Sequence, residues 1–325
     1  MKGLCGSQPL KVAQVDGFGG NSWRKITRAE LADELSVCPN VKVTYTQADG
    51  DLQKYIIDIN SYVAQGYNAI ITYDDFGSQA LSALHNAYKA GVVVVPYIAS
   101  PSGTVGVDYN GYVQYNFTAE GQEMAKWLHG ELKPGAKVLF TGGLAGGSPS
   151  TVALYDAIKN TAGTLGNPFE FLTNQPQPSG WDPAVDQQQM AGALAHYPVI
   201  NAIASDYGVA DLGGLRAFLS ANRQIPALAT SATDNQLGCF WLQYHKTNPN
   251  FQLLTLDGTT RVVRIAALKA MAALDHKPDT YPEQPDLITF IDTAHGKTPT
   301  CNTSLPQDAD LSSLLSTTQL QALFG

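Results

Sequence analysis

The sequence alternates short β-branched runs with stretches of helical character, and this alternation occurs twice along the chain. In the first series the predicted strands are residues 11–15, 41–45, 68–73 and 92–95. In the second series they begin with residues 137–141, 169–172, 202–204 and 227–229. Strands separated by single helices are typical of βαβ units, which build parallel sheets. The pattern therefore predicts an α/β chain with two parallel sheets.

A chain of 325 residues is longer than one hydrophobic core usually supports, which also favours two domains. We predict an N-terminal lobe of residues 10–116 plus 258–291, and a C-terminal lobe of residues 117–257 plus 292–325 with a C-terminal extension. The chain then crosses between two Rossmann-like lobes three times, near Asn116, Asp257 and Asp292. Three crossings would form a hinge that permits closure and resists twisting.

Several predicted elements bear on these boundaries. A helix at 261–274 and a strand at 286–291 are expected to return to the first lobe. Two extra strands, at 239–244 and 251–256, are expected in the second lobe. The tail carries two short helical patterns, at 311–315 and 320–324.

Composition and charge exclude several classes of function. The net charge of −8 argues against a nucleic-acid partner, because phosphate binding needs a basic face. No apolar run approaches the roughly 18–20 residues of a membrane span. The first four residues contain no apolar segment of a signal peptide. We therefore expect either a cytosolic protein or a chain that begins at the mature end of an exported one.

Four cysteines are present: Cys5, Cys38, Cys239 and Cys301. Their wide spacing does not fit a zinc site, so no metal is predicted. They are either four free thiols, as in a cytosolic protein, or two disulfides, as in an exported one. Three pairings are possible. Chain order favours Cys5 with Cys38, which leaves Cys239 with Cys301 to fasten the C-terminal extension.

No catalytic motif is recognisable. The glycine-rich turn at 142–148 follows a strand and precedes a helix, but it does not end in the Gly-Lys-Ser/Thr of a phosphate-binding loop, because Ser148 is followed by Pro149. Neither a GxSxG nucleophile elbow nor an HExxH motif occurs, and none of the six histidines lies beside a candidate nucleophile. We predict no catalytic residues, no cofactor and no enzymatic activity.

Aspartate, asparagine and aromatic residues recur where the predicted strands end. In parallel sheets, ligands bind outside these carboxyl ends. A sugar has apolar C–H faces that stack on aromatic rings, and hydroxyls that carboxylates and amides bind. The residues of this kind are Asp16, Phe18, Asn21, Trp23, Asp74, Asp75, Ser148, Trp181, Asp182, Asp206, Tyr207, Asp234, Asn235, Asp257 and Thr260. Helix capping is the competing explanation for each aspartate, and packing for each tryptophan.

The chain resembles periplasmic sugar-binding proteins of the ribose-binding type, with the type I periplasmic binding fold, over roughly residues 11–292. The resemblance is carried by the turn at 20–24, the helix and strand at 57–71, the glycine turn at 143–148, and Asp206 with the helical segment 212–217. It implies that the ligand is bound by Asn21, Trp23, Asp74, Trp181, Asp206 and Asp257, and Ser148 joins them as part of the glycine turn. Additional candidates are Phe18, Arg24, Tyr97, Asn116 and Arg261.

Two arginines of the ribose binders are replaced in this chain, by the Ile98–Ala99 pair after the fourth strand and by the Ser150–Thr151 pair after the glycine turn. Ribose itself is therefore not predicted to be the ligand. Arg24 or Arg261 could supply the positive charge that the two missing arginines would bring to the ligand.

The resemblance implies an extracytoplasmic or periplasmic solute receptor of an ABC importer. It would be a monomer that closes on a monosaccharide or polyol in the cleft between its lobes and engages the membrane subunits of the transporter. Three alternatives stay open: the ligand-sensing domain of a transcription regulator, a receptor that feeds a signalling system, and an enzyme on a two-lobed α/β frame.

Overall fold

The structure is a computed structural model that describes residues 1–324. It divides into two compact units. Unit 1 comprises Met1–Tyr115, Thr260–Pro285 and Ser313–Gln319. Unit 2 comprises Asn116–Thr259, Asp286–Ser312 and the segment that begins at Leu320.

Unit 1 is built on a four-stranded parallel sheet in the order β2-β1-β3-β4. Its strands are β1 (Leu10–Asp16), β2 (Val41–Gln47), β3 (Ala69–Tyr73) and β4 (Val93–Pro96). Its helices are α1 (Ser22–Ser36), α2 (Leu52–Ala64), α3 (Leu81–Lys89) and α9 (Val262–Leu274). β3, a central strand, and β4, at the edge of the sheet, are both buried throughout, as expected of parallel strands covered by helices on both faces.

Unit 2 is built on a six-stranded sheet in the order β10-β9-β8-β7-β5-β6. Its strands are β5 (Ala136–Thr141), β6 (Phe169–Phe171), β7 (Ala202–Ser205), β8 (Ala227–Ser231), β9 (Leu253–Asp257) and β10 (Ile288–Asp292). Its helices are α4 (Phe117–Glu131), α5 (Pro149–Thr164), α6 (Pro183–His196), α7 (Gly208–Ser220) and α8 (Asn235–Tyr244). The last helix, α10 (Thr317–Phe324), begins in unit 1 and ends in unit 2. All neighbouring strands are parallel except β10, which is antiparallel to β9.

The two α/β units with mostly parallel sheets confirm the predicted fold class. The late strand differs in its position, because β10 pairs with β9 of unit 2 and does not return to the first lobe. The chain consequently enters unit 2 at Asp286, whereas the predicted first lobe extends to residue 291. The following tail contributes Ser313–Gln319 to unit 1 before it rejoins unit 2.

Two predicted elements are wrong. Residues 239–244 form the second half of helix α8, and not a strand. Asp234 caps this helix by accepting from Leu237 N at 3.0 Å, and the buried Leu237, Phe240 and Trp241 follow helical spacing. Residues 311–315 form bends and turns instead of a helix. Their course is set locally by Asp310, which accepts from both the backbone N–H and the hydroxyl of Ser312.

The two disulfides favoured by chain order are present. Cys5 is joined to Cys38 in unit 1, and Cys239 to Cys301 in unit 2. The second bond fastens the tail to α8, and the side chain of Asn235 reinforces it by donating to Asn302 O at 2.8 Å. Within the described residues, none of the helices combines the length and apolar character that a membrane crossing requires.

Candidate functional site

The carboxyl edge of the unit 1 sheet is organised around the buried guanidinium group of Arg24. Its Nη1 donates to Asp16 Oδ1 at 3.0 Å, and its Nη2 donates to Asp75 Oδ1 at 2.8 Å. The guanidinium carbon lies 3.5 Å from the centre of the Tyr73 ring. Asp16 ends β1 and Tyr73 ends β3, and these two residues are register partners in the sheet. The strand register therefore brings the whole cluster to one edge.

Asp74, the next residue along the chain, has a buried carboxyl group that is only partly satisfied. Its side chain is buried, and Oδ1 accepts from Phe76 N at 2.9 Å. The other oxygen, Oδ2, has no hydrogen-bond partner among residues 1–324. Burial raises the pKa of Asp74 to about 7, against the lowering effect of the Phe76 N–H. Buried polar atoms are normally paired, so the unpaired oxygen marks a candidate ligand contact.

Asn21 and Trp23 lie beside this cluster. Asn21 Oδ1 accepts from Arg24 N at 2.9 Å and so caps α1. Trp23 is half-buried and meets the Tyr73 ring edge-on, with 5.7 Å between the ring centres. Capping fully accounts for the position of Asn21, while part of the Trp23 ring stays accessible.

Phe18 and Tyr97, two of the additional candidates, have different surroundings. Phe18 is half-buried, and its backbone N–H donates to Asp16 Oδ1 at 3.0 Å. Tyr97 is completely buried, and its hydroxyl accepts from Gln14 Nε2 at 3.1 Å. Tyr97 is therefore a core residue beneath the edge, whereas Phe18 lies on it.

In unit 2 the carboxyl edge centres on Asp206, which follows β7. Its carboxylate accepts from the Thr151 hydroxyl and from Trp181 Nε1, which lies 3.3 and 3.2 Å from the two oxygens. Burial raises the pKa of Asp206 to about 6, and these donors act to lower it. Gly142 permits this arrangement: a Cβ there would lie 2.4 Å from Asp206 Oδ1, at a φ of 154° that favours glycine.

The Trp181 backbone is in the left-handed region, with φ of 50°. This conformation is unusual for a bulky residue and indicates a constraint imposed by function or by packing. The Trp181 ring is half-buried, and its N–H is directed to Asp206. An indole held by its edge in this way offers a face for stacking.

The other predicted residues of unit 2 are less accessible. Ser148 is buried and its Oγ accepts from Leu144 N at 3.0 Å, which closes the glycine turn. Asp257 is buried at the end of β9 and accepts from both Thr233 N and Thr233 Oγ1, at 2.8 and 2.9 Å. Burial raises the pKa of Asp257 to about 6.

Asn116 and Arg261 lie where the chain passes between the two units. Asn116 caps α4 through Oδ1, and its Nδ2 donates to Asp286 Oδ1 at 2.8 Å. Arg261 ends the short turn Thr259–Arg261 after β9 and is half-buried. That these two residues contact a ligand remains a prediction.

Sequence reasoning missed Glu120, in the first turn of α4. Its carboxyl group is buried, with the Ser231 hydroxyl, Asp206 and Asp257 as its electrostatic neighbours. Burial raises the pKa of Glu120 to about 8, the hydroxyl lowers it, and the two acids raise it further. One signal was available in the sequence: Glu120 has helical spacing to Met124 and Leu128 and so interrupts an apolar stripe.

A separate groove of about 790 Å³ lies at the opposite, amino edge of the unit 2 sheet. It is lined by loop residues that precede the strands, among them Pro134, Pro198, Pro226 and Pro249. None of the predicted ligand residues lines this groove. Among the described residues, no group of three or more His, Cys, Asp or Glu side chains is arranged to hold a metal ion.

Comparison with known proteins identifies the class. The family model of the periplasmic binding protein domain matches residues 16–238, which is more than half of the chain. The chain therefore belongs to the periplasmic binding protein domain family, and this membership implies an extracytoplasmic location. No curated protein sequence matches it significantly.

Solved structures similar to this chain share its fold at low sequence identity. The Caulobacter myo-inositol binding protein, bound to myo-inositol, has a TM-score of 0.73 and 18% identity, with 87% of this chain and 92% of that chain covered. An ABC transporter periplasmic solute binding protein from Actinobacillus succinogenes, with bound D-allose, has a TM-score of 0.73 and 16% identity, with 86% and 96% covered. The 5-methylthioribose transporter solute binding protein from Thermotoga lettingae has a TM-score of 0.72 and 19% identity, with 87% of each chain covered.

Proposed function

We propose that this chain is the periplasmic solute receptor of an ABC importer and that it binds a monosaccharide or a polyol. The observation that carries the proposal is the Trp181 ring, held by Asp206 at the carboxyl edge of the unit 2 sheet. An aromatic face beside hydroxyl-binding carboxylates matches the two kinds of surface that a carbohydrate presents. The similar structures with bound myo-inositol and D-allose support the same ligand class.

We assign the ligand contacts within each unit separately. In unit 1 they are the Trp23 ring and Asp74, whose unpaired oxygen is suited to accept from a hydroxyl. In unit 2 they are the Trp181 ring and Asp206. The main role of Asn21, Ser148 and Asp257 is to hold the surrounding turns in place through their hydrogen bonds to the backbone. Each contacts the ligand only through side-chain polar atoms that these bonds leave available. No bond of the ligand is made or broken.

The partners follow from this role. The liganded receptor is recognised by the membrane subunits of the importer, and a monomer suffices for that purpose. The two disulfides accord with an oxidising compartment, because such bonds persist outside the cytoplasm.

A thermal-shift panel tests the proposal. The panel contains pentoses, hexoses, deoxy-sugars, polyols and, as the competing class, amino acids. A ligand at about 100 times its Kd stabilises the folded protein by about 2.7 kcal/mol, so a true ligand raises the Tm clearly. We expect one or a few carbohydrates or polyols to do so. A shift with amino acids alone would contradict the proposal.

A further inference from the structure

We infer that the ligand carries a protonated amine, so that an amino sugar or an amino polyol is bound in preference to its neutral counterpart. This inference rests on the proposed function and narrows its ligand class. It is drawn from the excess of buried carboxyl groups at the carboxyl edge of each sheet, and from specific oxygens among them that have no hydrogen-bond donor.

Glu120 is the first such group. Its side chain is only 4% exposed, and its Oε2 has no hydrogen-bond partner within the part of the chain that the structure describes. Its electrostatic neighbours are Asp206, Asp257 and the Ser231 hydroxyl. Three carboxyl groups therefore share one end of the unit 2 sheet, and a buried acceptor atom among them lacks a donor.

The donors that Asp206 and Asp257 do have are neutral. Asp206 accepts from a hydroxyl and an indole N–H, and Asp257 from the hydroxyl and backbone N–H of Thr233. Neutral donors satisfy lone pairs without cancelling charge, and buried charges are ordinarily paired with a charge of opposite sign.

Unit 1 has a similar imbalance. The carboxyl groups of Asp16 and Asp75 both bind the guanidinium of Arg24, and the buried carboxyl group of Asp74 is an electrostatic neighbour of Asp75. Each of the three has a buried Oδ2 atom without a hydrogen-bond partner among residues 1–324. A single cation cannot neutralise three acids, so this edge also favours a positively charged ligand group.

An ammonium group matches these features better than a hydroxyl group does. It supplies a full positive charge and up to three donors, and charge-assisted hydrogen bonds are roughly twice as strong as neutral ones. The Trp181 ring still requires a flat C–H face, which keeps the ligand within the carbohydrates and polyols.

Calorimetric titration of matched ligands tests the inference. Each neutral sugar or alditol is compared with its amino-deoxy counterpart and with the N-acetylated amine, which has the same skeleton without the charge. We expect the free amine to bind at least roughly tenfold more tightly than either neutral form. Equal or tighter binding of the neutral parent would overturn the inference and leave the proposed function intact. If neither carbohydrates nor their amines bind, the proposed function fails as well.

Two variants with the same loss of charge make the test specific. Glu120→Gln should weaken binding of the amine by roughly tenfold and leave the affinity of the neutral parent within about twofold. Glu170→Gln removes an exposed acid on β6 and should change neither affinity. Thermal unfolding verifies that both variants are folded. An equal loss of affinity for both ligands in Glu120→Gln would show a merely structural role and would count against the inference.

Discussion

Trp181 combines an unusual backbone conformation with a polar contact at its edge. Its φ of 50° and the hydrogen bonds from Nε1 to Asp206 fix the direction of the ring. A packing tryptophan has no need of a half-exposed face in a turn that opens a helix. These features together favour the proposed stacking role over a core role.

We predict that Trp181→Ala weakens binding of the cognate carbohydrate by about one to two orders of magnitude, since stacking and burial of the ring contribute on the order of 1–3 kcal/mol. Trp181→Phe keeps an aromatic face and should lose less. The Tm of the ligand-free variants should stay close to that of the wild type. Calorimetry with the ligand identified by the panel measures this. Unchanged affinity together with a collapse of ligand-free stability would show that Trp181 is a core residue.

Glu120 should make the stability of the ligand-free protein depend on pH. Its pKa is raised to about 8 in the folded state, so the folded protein holds this proton more strongly than the unfolded chain does. The contribution is fully present below the unfolded pKa of about 4.3 and is lost as the pH rises through about 8.

We therefore predict that Glu120→Gln flattens the decline in unfolding free energy between pH 5.5 and 8.5. The variant should be more stable than the wild type at the alkaline end, by on the order of 2–4 kcal/mol. Urea unfolding at several pH values provides the measurement, with Glu170→Gln as the surface control that keeps the wild-type profile. Parallel profiles for wild type and Glu120→Gln would contradict the assigned environment.

At the residue scale, the sequence predicted that acidic and aromatic side chains lie at the carboxyl edges of the sheets, but it did not predict every residue found there. Asp74 and Asp206 could be found because they directly follow strands, and Trp181 because it lies in the turn that opens α6. Glu120 could not be placed at the edge, because a helix residue reaches it only through the packing of α4 against β8 and β9. The surroundings of Tyr97 depend on a tertiary contact, the hydrogen bond from Gln14, which no local pattern indicates. Asn21 caps α1 through a local contact with Arg24 N, and in sequence a capping asparagine cannot be told from a ligand residue.

Helices α6 and α7 approach each other closely, and the absence of a side chain at Gly213 is needed for this. A Cβ on Gly213 would lie only 1.7 Å from Pro183 O, at the start of α6. Gly192, on α6 itself, has nothing within 4 Å of the corresponding position. Since α6 and α7 follow Trp181 and Asp206 respectively, their separation helps to set the position of both residues.

We predict opposite effects for the same substitution at these two glycines. Gly213→Ala should destabilise the protein by at least about 2 kcal/mol, because the backbone of α6 must move away. Gly192→Ala should be neutral or stabilising by up to about 1 kcal/mol, because alanine favours helix. Urea denaturation of both variants gives the comparison. Similar stabilities for the two variants would mean that the helices are not in close contact.

Helices and strands were predicted well where residues close in sequence determine them, and less well where contacts distant in sequence do. β-branched runs such as β1 and β3 were found because a buried parallel strand needs them along its whole length. Helix α8 was taken for a strand because its aromatic residues favour strands, while the Asp234 cap and the helical spacing decided the outcome. The antiparallel pairing of β10 with β9 depends on contacts between segments distant in sequence, which no local sequence pattern indicates.

At the scale of the whole molecule, the central claim is that a carbohydrate binds at the carboxyl edges of the two sheets. The chain also offers a competing location, the groove at the amino edge of the unit 2 sheet. These places lie at opposite ends of the same strands, so a measurement with peptide resolution separates them.

Hydrogen exchange with the ligand from the panel, at saturating concentration, tests the claim most directly. We predict slower exchange of the amides at 74–77 in unit 1 and at 142–148 and 206–207 in unit 2. The amides at 199–201 and those of Gln224, Ile225 and Ala227, which line the amino-edge groove, should exchange at their ligand-free rates. Protection confined to the groove segments, with no change at the carboxyl edges, would contradict the account.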